Sequence, residues 1–188
     1  MKLSRSTIVA FLGVTILLAT VTQARADDEK IWHVKAIHPD GKLLDVKALD
    51  KAGKIYGVKA IQNGDPHILD VKALVGDKRL PVKILISADA LAPVKAIGED
   101  GTIYSIKALT AEGQHLDVKG VRRSGNIIDI KAIGPKGEHF GVKAISPEGM
   151  VFDVKGVKMS KDRVEGKVSG VEFEAHVNAL PQISHTLN

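Results

Sequence analysis

A tripeptide, Val-Lys-Ala or a close variant of it, recurs about every 12 residues through most of this chain. Because a fixed short period makes each unit one structural element stacked on the next, the repeat constrains the fold more than any other feature. A further lysine, Lys167, keeps the spacing without the phrase. The lysines of the repeat are Lys35, Lys47, Lys59, Lys72, Lys83, Lys95, Lys107, Lys119, Lys131, Lys143 and Lys155.

Each unit alternates between apolar and polar residues around its lysine. In most units a large apolar residue stands three positions before the lysine, Val or Ile one before it, and Ala or Gly one after it. With a period of two these three positions share one face, which is typical of a β-strand rather than a helix. We therefore predict one short strand per unit, with the large, Val and Ala positions in the core and the lysine on the opposite face.

The segments between units have the composition of tight hairpin turns. Six of them place Gly third, where a three-residue hairpin loop needs a left-handed backbone. Consecutive strands are therefore predicted to be antiparallel hairpin partners. The six turns are Pro39-Asp40-Gly41, Lys51-Ala52-Gly53, Glu99-Asp100-Gly101, Ala111-Glu112-Gly113, Pro135-Lys136-Gly137 and Pro147-Glu148-Gly149.

Loop length also fixes the register of the two strands that it joins. Counting back from each turn gives lysine–aspartate pairs, each worth roughly 0.2–1 kcal/mol. In a simple meander an aspartate would face a second lysine on its other side, as Asp45 would face Lys59. The repeat is thus predicted to form a cross-strand charge ladder. Three of the predicted pairs are Lys35 with Asp45, Lys107 with Asp117, and Lys143 with Asp153.

These patterns predict an all-β fold, an antiparallel up-and-down meander of about 12–13 short strands. Because the small core residues cannot fill a round barrel of that size, we expect closure as a flattened barrel or a two-sheet sandwich. Pro81 and Pro93 replace the acid of two adjacent units and predict a corner or seam. Residues 27–178 would form a single β-repeat domain, and residues 179–188 a C-terminal tail.

The first 26 residues have the pattern of a secretory signal peptide: a basic start, an apolar run and the sequence Ala24-Arg25-Ala26. We therefore expect export to the periplasm or the extracellular space. Without Lys2, Arg5 and Arg25 the 27 basic residues fall to 24 against 22 acidic residues, a net charge of +2. This mild charge gives no reason to expect nucleic acid as a partner.

No motif for a nucleophile, a phosphate-binding loop or a catalytic carboxylate pair is present, so we expect no enzyme and no cofactor. His115 and His139 occupy equivalent positions two strands apart, about 9.6 Å by strand spacing. Zinc ligands lie about 2 Å from the ion, so we expect no metal there. Glu172, Glu174 and His176 alternate along the last strand, and we interpret them as its solvated outer face.

Lys47, Lys72 and Lys95 have no acidic cross-strand partner in the predicted register. We hypothesise that they form an anion-binding strip for an anionic glycan, a phosphate-bearing envelope component or an acidic protein. The alternative is that they only protect the sheet surface against aggregation. The sequence thus predicts an exported, non-catalytic binding or envelope-structural repeat protein.

Two other classes of function remain as alternatives. One is an enzyme with a site near the Pro81/Pro93 seam. The other is a small outer-membrane β-barrel. Its lipid-facing band would be about 25 Å tall, whereas the uncharged face here spans only about 17 Å, so we do not expect a membrane-integral protein.

Overall fold

The computed structural model describes residues 29–65, 67–121 and 125–182, so the predicted signal peptide lies outside the described residues. Within these ranges the chain forms thirteen strands, and no helix there could span a membrane. The strands are β1 Ile31–Ile37, β2 Leu43–Leu49, β3 Ile55–Gln62, β4 Leu69–Val75, β5 Lys78–Leu85, β6 Leu91–Ile97, β7 Ile103–Leu109, β8 His115–Val121, β9 Ile127–Ile133, β10 His139–Ile145, β11 Val151–Val157, β12 Gly166–Val168 and β13 Val171–Pro181.

The prediction of an all-β, antiparallel fold of about 12–13 short strands is confirmed. Each of the first eleven strands carries one unit of the repeat. β12 and β13 form a final hairpin that turns at Ser169 and Gly170, whose φ angles are 48° and 81°. β13 continues to Pro181, so residues 179–181, which the sequence assigned to the tail, belong to the sheet.

Each of the first eleven strands pairs with three strands rather than two, and β13 pairs with β12 in addition to three others. In β1 the first half, from Ile31 to His33, pairs with β3, and the second half, from Lys35 to Ile37, pairs with β2. The opposite edge of β1 pairs along its length with β10. A strand therefore changes partner at its middle on one edge and keeps a single partner on the other edge.

Where three strands each pair with the other two over about half of their length, we call the arrangement a corner. All strands except β12 take part, and they form four corners. Corner 1 contains β1, β2 and β3; corner 2 contains β4, β5 and β13; corner 3 contains β6, β7 and β8; corner 4 contains β9, β10 and β11. β13, the last strand of the chain, thus completes the corner of β4 and β5 and closes the sheet.

Every corner is linked to each of the other three by one pair of strands. The links are β1–β10, β2–β7, β3–β4, β5–β6, β8–β9 and β11–β13. Four three-membered corners joined by six links have the connectivity of a truncated tetrahedron. The expected closure of the sheet therefore occurs, and it is branched in a way that neither a simple barrel nor a sandwich describes.

The registers predicted from the three-residue hairpin loops are confirmed, whereas the second partner expected from a simple meander is wrong. Lys35 lies opposite Asp45 as predicted. On its other edge, however, Asp45 faces Leu109 rather than a lysine of β3. The reason is the branching, since a strand leaves its hairpin partner halfway along and a distant unit takes the other edge.

The predicted core face is also confirmed. In β1, Trp32, Val34 and Ala36 are 3%, 3% and 0% exposed. The Val or Ile residues that precede the lysines, with Val177 of β13, meet in threes beneath the corners and are all buried. These triplets are Val34, Val46 and Val58; Val71, Val82 and Val177; Val94, Ile106 and Val118; and Ile130, Val142 and Val154.

Between the corners lie four faces, each formed by six strands. The buried residues of three of these faces have the same composition. Each combines three large residues with three alanines, so that large and small side chains alternate around the face. Aromatic pairs confirm the grouping, with ring centroids 4.5 Å apart for Trp32 and Phe152 and 5.6 Å apart for Tyr56 and Tyr104. The sets are Leu44, Leu116 and Phe140 with Ala36, Ala108 and Ala132; Tyr56, Leu80 and Tyr104 with Ala48, Ala73 and Ala96; and Trp32, Leu69 and Phe152 with Ala60, Ala144 and Ala179.

The fourth face has a different composition. Ile84 stands where the other faces have an alanine, and Gly120 and Gly156 occupy the two remaining positions of that kind. A β-carbon at Gly156 would overlap Cδ1 of Ile84, and one at Gly120 would lie 3.0 Å from the same atom. The volume added by the isoleucine is thus offset by the two glycines.

The two strand prolines lie where the sequence placed a corner. Pro81 is opposite Lys72 in corner 2, and Pro93 is opposite Lys119 in corner 3. Every repeat has a change of partner at this position, however, so the prolines do not mark a single seam between two sheets.

Candidate functional site

The outer surface of each corner carries a ring of six residues. Each strand contributes two of them. In a repeat unit these are the lysine and the residue two positions before it, which alternate with the buried Val or Ile residues and therefore point outward. The rings are His33, Lys35, Asp45, Lys47, Gly57 and Lys59 in corner 1; Asp70, Lys72, Pro81, Lys83, His176 and Asn178 in corner 2; Pro93, Lys95, Ser105, Lys107, Asp117 and Lys119 in corner 3; and Asp129, Lys131, Gly141, Lys143, Asp153 and Lys155 in corner 4.

The four rings differ in their balance of charge. Corners 1 and 3 each hold three lysines and one aspartate, whereas corner 4 holds three lysines and two aspartates. Corner 2 holds two lysines and one aspartate, because Asn178 takes the place of the third lysine. Corners 1 and 3 therefore carry the largest excess of positive charge.

In corner 1 one carboxylate serves two lysines. Asp45 forms an ion pair with Lys35, and its Oδ2 lies 3.4 Å from Nζ of Lys47. The hydrogen bond from Lys35 is the main cause that lowers the pKa of Asp45. Nζ of Lys59 instead lies 2.8 Å from Nδ1 of His33. Partial burial, and then the charges of Lys47 and Lys35, lower the pKa of Lys59, so this ammonium group is held close to two others.

Corner 3 repeats this arrangement with different residues. Asp117 forms an ion pair with Lys107 and lies 3.6 Å from Nζ of Lys119. Lys95 donates a hydrogen bond to Oγ of Ser105 at 2.8 Å. Burial, followed by the charges of Lys119 and Lys107, lowers the pKa of Lys95. The third lysine of this ring is therefore also held without a carboxylate partner in the described chain.

Corner 4 is closer to neutral than corners 1 and 3, and two of its lysines contact aspartates. Lys143 forms an ion pair with Asp153, and Nζ of Lys155 lies 2.6 Å from Asp129 and 3.7 Å from Asp153. Asp129 is only 8% exposed. This corner therefore serves as an internal comparison for corners 1 and 3.

Five of the six links between corners place one lysine directly opposite another. Like charges in this position destabilise a sheet, so the arrangement does not serve the stability of the fold. The sixth link places Lys155 opposite Asn178. The five pairs are Lys35 with Lys143, Lys47 with Lys107, Lys59 with Lys72, Lys83 with Lys95, and Lys119 with Lys131.

The pair of Lys47 and Lys107 joins corner 1 to corner 3. The two rings with the largest positive excess are therefore neighbours on the surface. All corners adjoin one another, so the charge is what sets these two apart: their rings hold six lysines, with Asp45 and Asp117 alone among acidic residues. We call this group the lysine band; it consists of Lys35, Lys47, Lys59, Lys95, Lys107 and Lys119.

The residues predicted as an anion-binding strip are not brought together. Lys47, Lys72 and Lys95 lie in corners 1, 2 and 3, respectively. None of the three has an acidic cross-strand partner, as predicted. Two of them nevertheless lie near a carboxylate, since Nζ of Lys72 lies 3.0 Å from Asp70 and Lys47 contacts Asp45. These partners are two residues earlier on the same strand, a contact that cross-strand counting overlooks.

Two further predictions concern the histidines and the last strand. His115 and His139 are exposed. Glu174, expected on a solvated face, is 6% exposed, so that prediction is wrong. The pairing of β13 with β5 shifts register between Phe173 and Ala175, which takes Glu174 out of the alternation. The described residues contain no group of three or more His, Asp or Glu that could hold a metal ion.

The fold and its surface define a closed all-β repeat domain with a concentrated group of outward-facing lysines. Residues 28–180 match the Family of unknown function (DUF7486), and the chain belongs to this family. Comparisons with curated proteins and with solved structures gave no match.

Proposed function

We propose that this protein is an exported, non-catalytic binding protein whose lysine band contacts a polyanionic ligand, such as an anionic glycan or a phosphate-bearing envelope component. The observation that carries the proposal is the charge of corners 1 and 3, two adjoining rings that together hold six lysines and two aspartates. Export is inferred from the signal-peptide pattern of residues 1–26.

Two lysines of the band are the strongest candidates for direct contact. Lys59 and Lys95 have no carboxylate within ion-pair distance in the described parts of the chain, and other lysines lower the pKa of both after burial. A ligand anion would supply the missing counter-charge and relieve this repulsion. Because each ammonium group is compact and sits on a flexible stem, the two can adjust to anions at different spacings.

An extended polymer suits this surface better than a single small ion. Each lysine of the band gains little from one solvated contact, because attraction between exposed charges is worth at most about 1 kcal/mol. A polymer with many anionic groups engages several lysines at once, and each further contact is intramolecular. The proposal therefore expects affinity that increases with ligand length and falls steeply with salt.

The test measures binding of the protein without residues 1–26 to a sulfated polysaccharide and to a neutral one, at low and at moderate salt. The informative variant is Lys59→Gln/Lys95→Gln. The control is Lys51→Gln/Lys136→Gln, which removes the same charge from exposed hairpin turns. We expect about a tenfold loss of affinity for the band variant and less than a twofold change for the control. Equal losses in both would show that only net charge matters, and absence of binding to the sulfated polymer would refute the proposal. Binding to an acidic protein with no binding to the polysaccharide would also refute the choice of ligand.

A further inference from the structure

Corner 2 differs from the other corners because its third strand, β13, carries no unit of the repeat. His176 and Asn178 take the two ring positions that this strand contributes. His176 lies directly opposite Lys83, in a pairing between segments 93 residues apart in the chain. The lysine of β5 is thereby placed beside an imidazole instead of a carboxylate.

The contacts of Lys83 are those of a half-buried amine. Its Nζ lies 2.6 Å from Nδ1 of His176 and 4.6 Å from the ring centroid of Phe173. The nearby carboxylate of Asp70 is engaged elsewhere, since it accepts a hydrogen bond from Asn178 at 2.9 Å and pairs with Lys72 at 3.0 Å. Lys83 therefore donates to the imidazole and forms no ion pair within the described residues.

A small cavity lies beside this amine. Its volume is about 40 Å³, and its polar lining consists of Asp70, Lys72, Lys83, His176 and Asn178. A cavity of this kind needs roughly 10–15 Å³ to hold one water molecule, so the space admits a small polar group. A carbonyl group is of that size, and the rest of a small ligand would extend toward the surface of the corner.

The surroundings also keep part of the amine unprotonated. Burial, and then the charge of Lys72, lowers the pKa of Lys83 to about 8. At pH 7.5 roughly a quarter of such amines are neutral, against about one in a thousand for an ordinary lysine. Burial, followed by the charge of Lys83, lowers the pKa of His176, which favours the neutral imidazole, the form in which Nδ1 can accept a hydrogen bond from Lys83.

We propose that Lys83 is a reactive amine that forms imines with small aldehydes, with His176 holding its nitrogen beside the cavity. The ammonium group first loses a proton to solvent. The nitrogen lone pair then attacks the carbonyl carbon and forms a C–N bond, and the resulting carbinolamine loses its hydroxyl group as water. One water molecule and one proton are released in total, and nothing is oxidised or reduced. Because Lys83 lies outside the lysine band, this inference is independent of the proposed function.

The charged and titratable groups around Lys83 come from several elements, and all contribute to its pH response. Lys72 opposes its positive charge, whereas Asp70 and Glu165 favour it. Lys95 lies directly opposite on β6 and adds a further positive charge to this surface. In the described part of the chain, the groups of this kind around the amine are Asp70 and Lys72 of β4, Lys95 of β6, Glu165 before β12, and His176 of β13.

The test is reductive methylation of the folded protein with limiting formaldehyde and cyanoborohydride at pH 7.5, followed by mass spectrometry of each lysine. Lys59 is the internal control, because its Nζ lies 2.8 Å from a histidine nitrogen at an exposed contact. We expect Lys83 to be methylated at least fivefold faster than Lys59. The rate at Lys83 should also rise with pH to a plateau, with a midpoint near 8 rather than near 10.5.

A pair of variants separates reactivity from mere accessibility. Lys72→Gln removes the neighbouring positive charge and should slow methylation of Lys83 severalfold at pH 7.5. Lys136→Gln removes the same charge from an exposed turn and should leave the rate unchanged. The proposal is overturned if Lys83 is methylated no faster than Lys59, if the midpoint lies near 10.5, or if both variants have the same effect.

Discussion

Ile84 fills the space that a side chain at Gly156 would occupy, since a β-carbon there would overlap Cδ1 of the isoleucine. The two residues are 72 positions apart in the chain, on β5 and β11, and both lie in the fourth face of the fold. Because protein interiors are close-packed, an exchange of volume between these positions has to be matched. The departures from alanine at positions 84, 120 and 156 are therefore one coordinated feature of the core.

The first prediction is that Gly156→Ala lowers the free energy of unfolding by about 1–3 kcal/mol, because overpacking forces Ile84 or the backbone to move. In an Ile84→Ala background the same change should cost much less, since the added methyl group then occupies vacated space. Urea denaturation of the two single variants and the double variant measures this coupling. Gly141→Ala is the control, because the nearest atom to its β-carbon lies 3.8 Å away. If the effects of the two substitutions on the free energy of unfolding were strictly additive, the proposed packing of Ile84 against Gly156 would be contradicted.

The second prediction concerns the hairpin turns. Gly137 has a φ angle of 82°, and nothing lies within 4 Å of the position of a β-carbon there. Gly137→Ala should therefore destabilise the protein by about 1–2 kcal/mol through backbone strain alone. Gly137→Asn should cost less, since asparagine tolerates the left-handed region. Thermal unfolding of the two variants checks the order, and equal losses for both would show that conformation is not the cause.

The third prediction follows from the depressed pKa of Lys83. In the folded state this pKa is about 8, against 10.5 for an ordinary lysine. Between these values the unfolded chain binds more protons, so the contribution of Lys83 to stability rises with pH across this window. Lys83→Met should therefore stabilise the protein at pH 7 by about 1–3 kcal/mol. This advantage should shrink toward zero by pH 10.5, as measured by urea unfolding over the range. An advantage that does not change with pH would refute the depressed pKa.

The fourth prediction is that Asp45→Asn strengthens polyanion binding while weakening the fold. Asp45 offsets the charges of Lys35 and Lys47, so its removal makes corner 1 more positive. We expect a severalfold gain in affinity for a sulfated polysaccharide, and a loss of stability of only about 0.5 kcal/mol because the carboxylate is largely solvated.

The same variant has a defined dependence on pH. Because the folded-state pKa of Asp45 is lowered, its stabilising effect is present above the unfolded pKa and disappears as the pH falls through the folded value. The stability difference between the protein and Asp45→Asn should therefore vanish in acid. Asp77→Asn, at an exposed turn, removes the same charge and should change neither property. A matching gain in affinity for this control would contradict a local role of Asp45.

Features set within one repeat unit could be predicted from the sequence. The strands, the hairpin register of Lys35 with Asp45, and the burial of Val34 and Ala36 all follow from alternation and turn length. The third partner of each strand could not be predicted, because closure of the sheet decides it and the repeat looks alike in every unit. The lysine pairs that link the corners were missed for this reason.

In the candidate sites, too, contacts within a hairpin could be predicted from the sequence, whereas contacts between distant strands could not. Ser105 opposite Lys95 was visible in the hairpin count, so the lack of an acidic cross-strand partner for this lysine could be found from the sequence. The contact of Lys83 with His176 depends on the return of β13 to β5, which no local pattern indicates. The burial of Glu174 depends on a local shift of register at this same pairing.

The most direct test of the lysine band is a titration of the protein with a sulfated oligosaccharide, followed through the side-chain ammonium and Cε resonances of individual lysines by NMR. We predict that the six lysines of the band, with Lys59 and Lys95 foremost, shift together and saturate at one ligand concentration. Lys143 and Lys155 of corner 4, which contact aspartates, should shift much less. Equal, non-saturating shifts at the band, at corner 4 and at the turn residue Lys51 would contradict the account and reduce the lysines to a general surface charge.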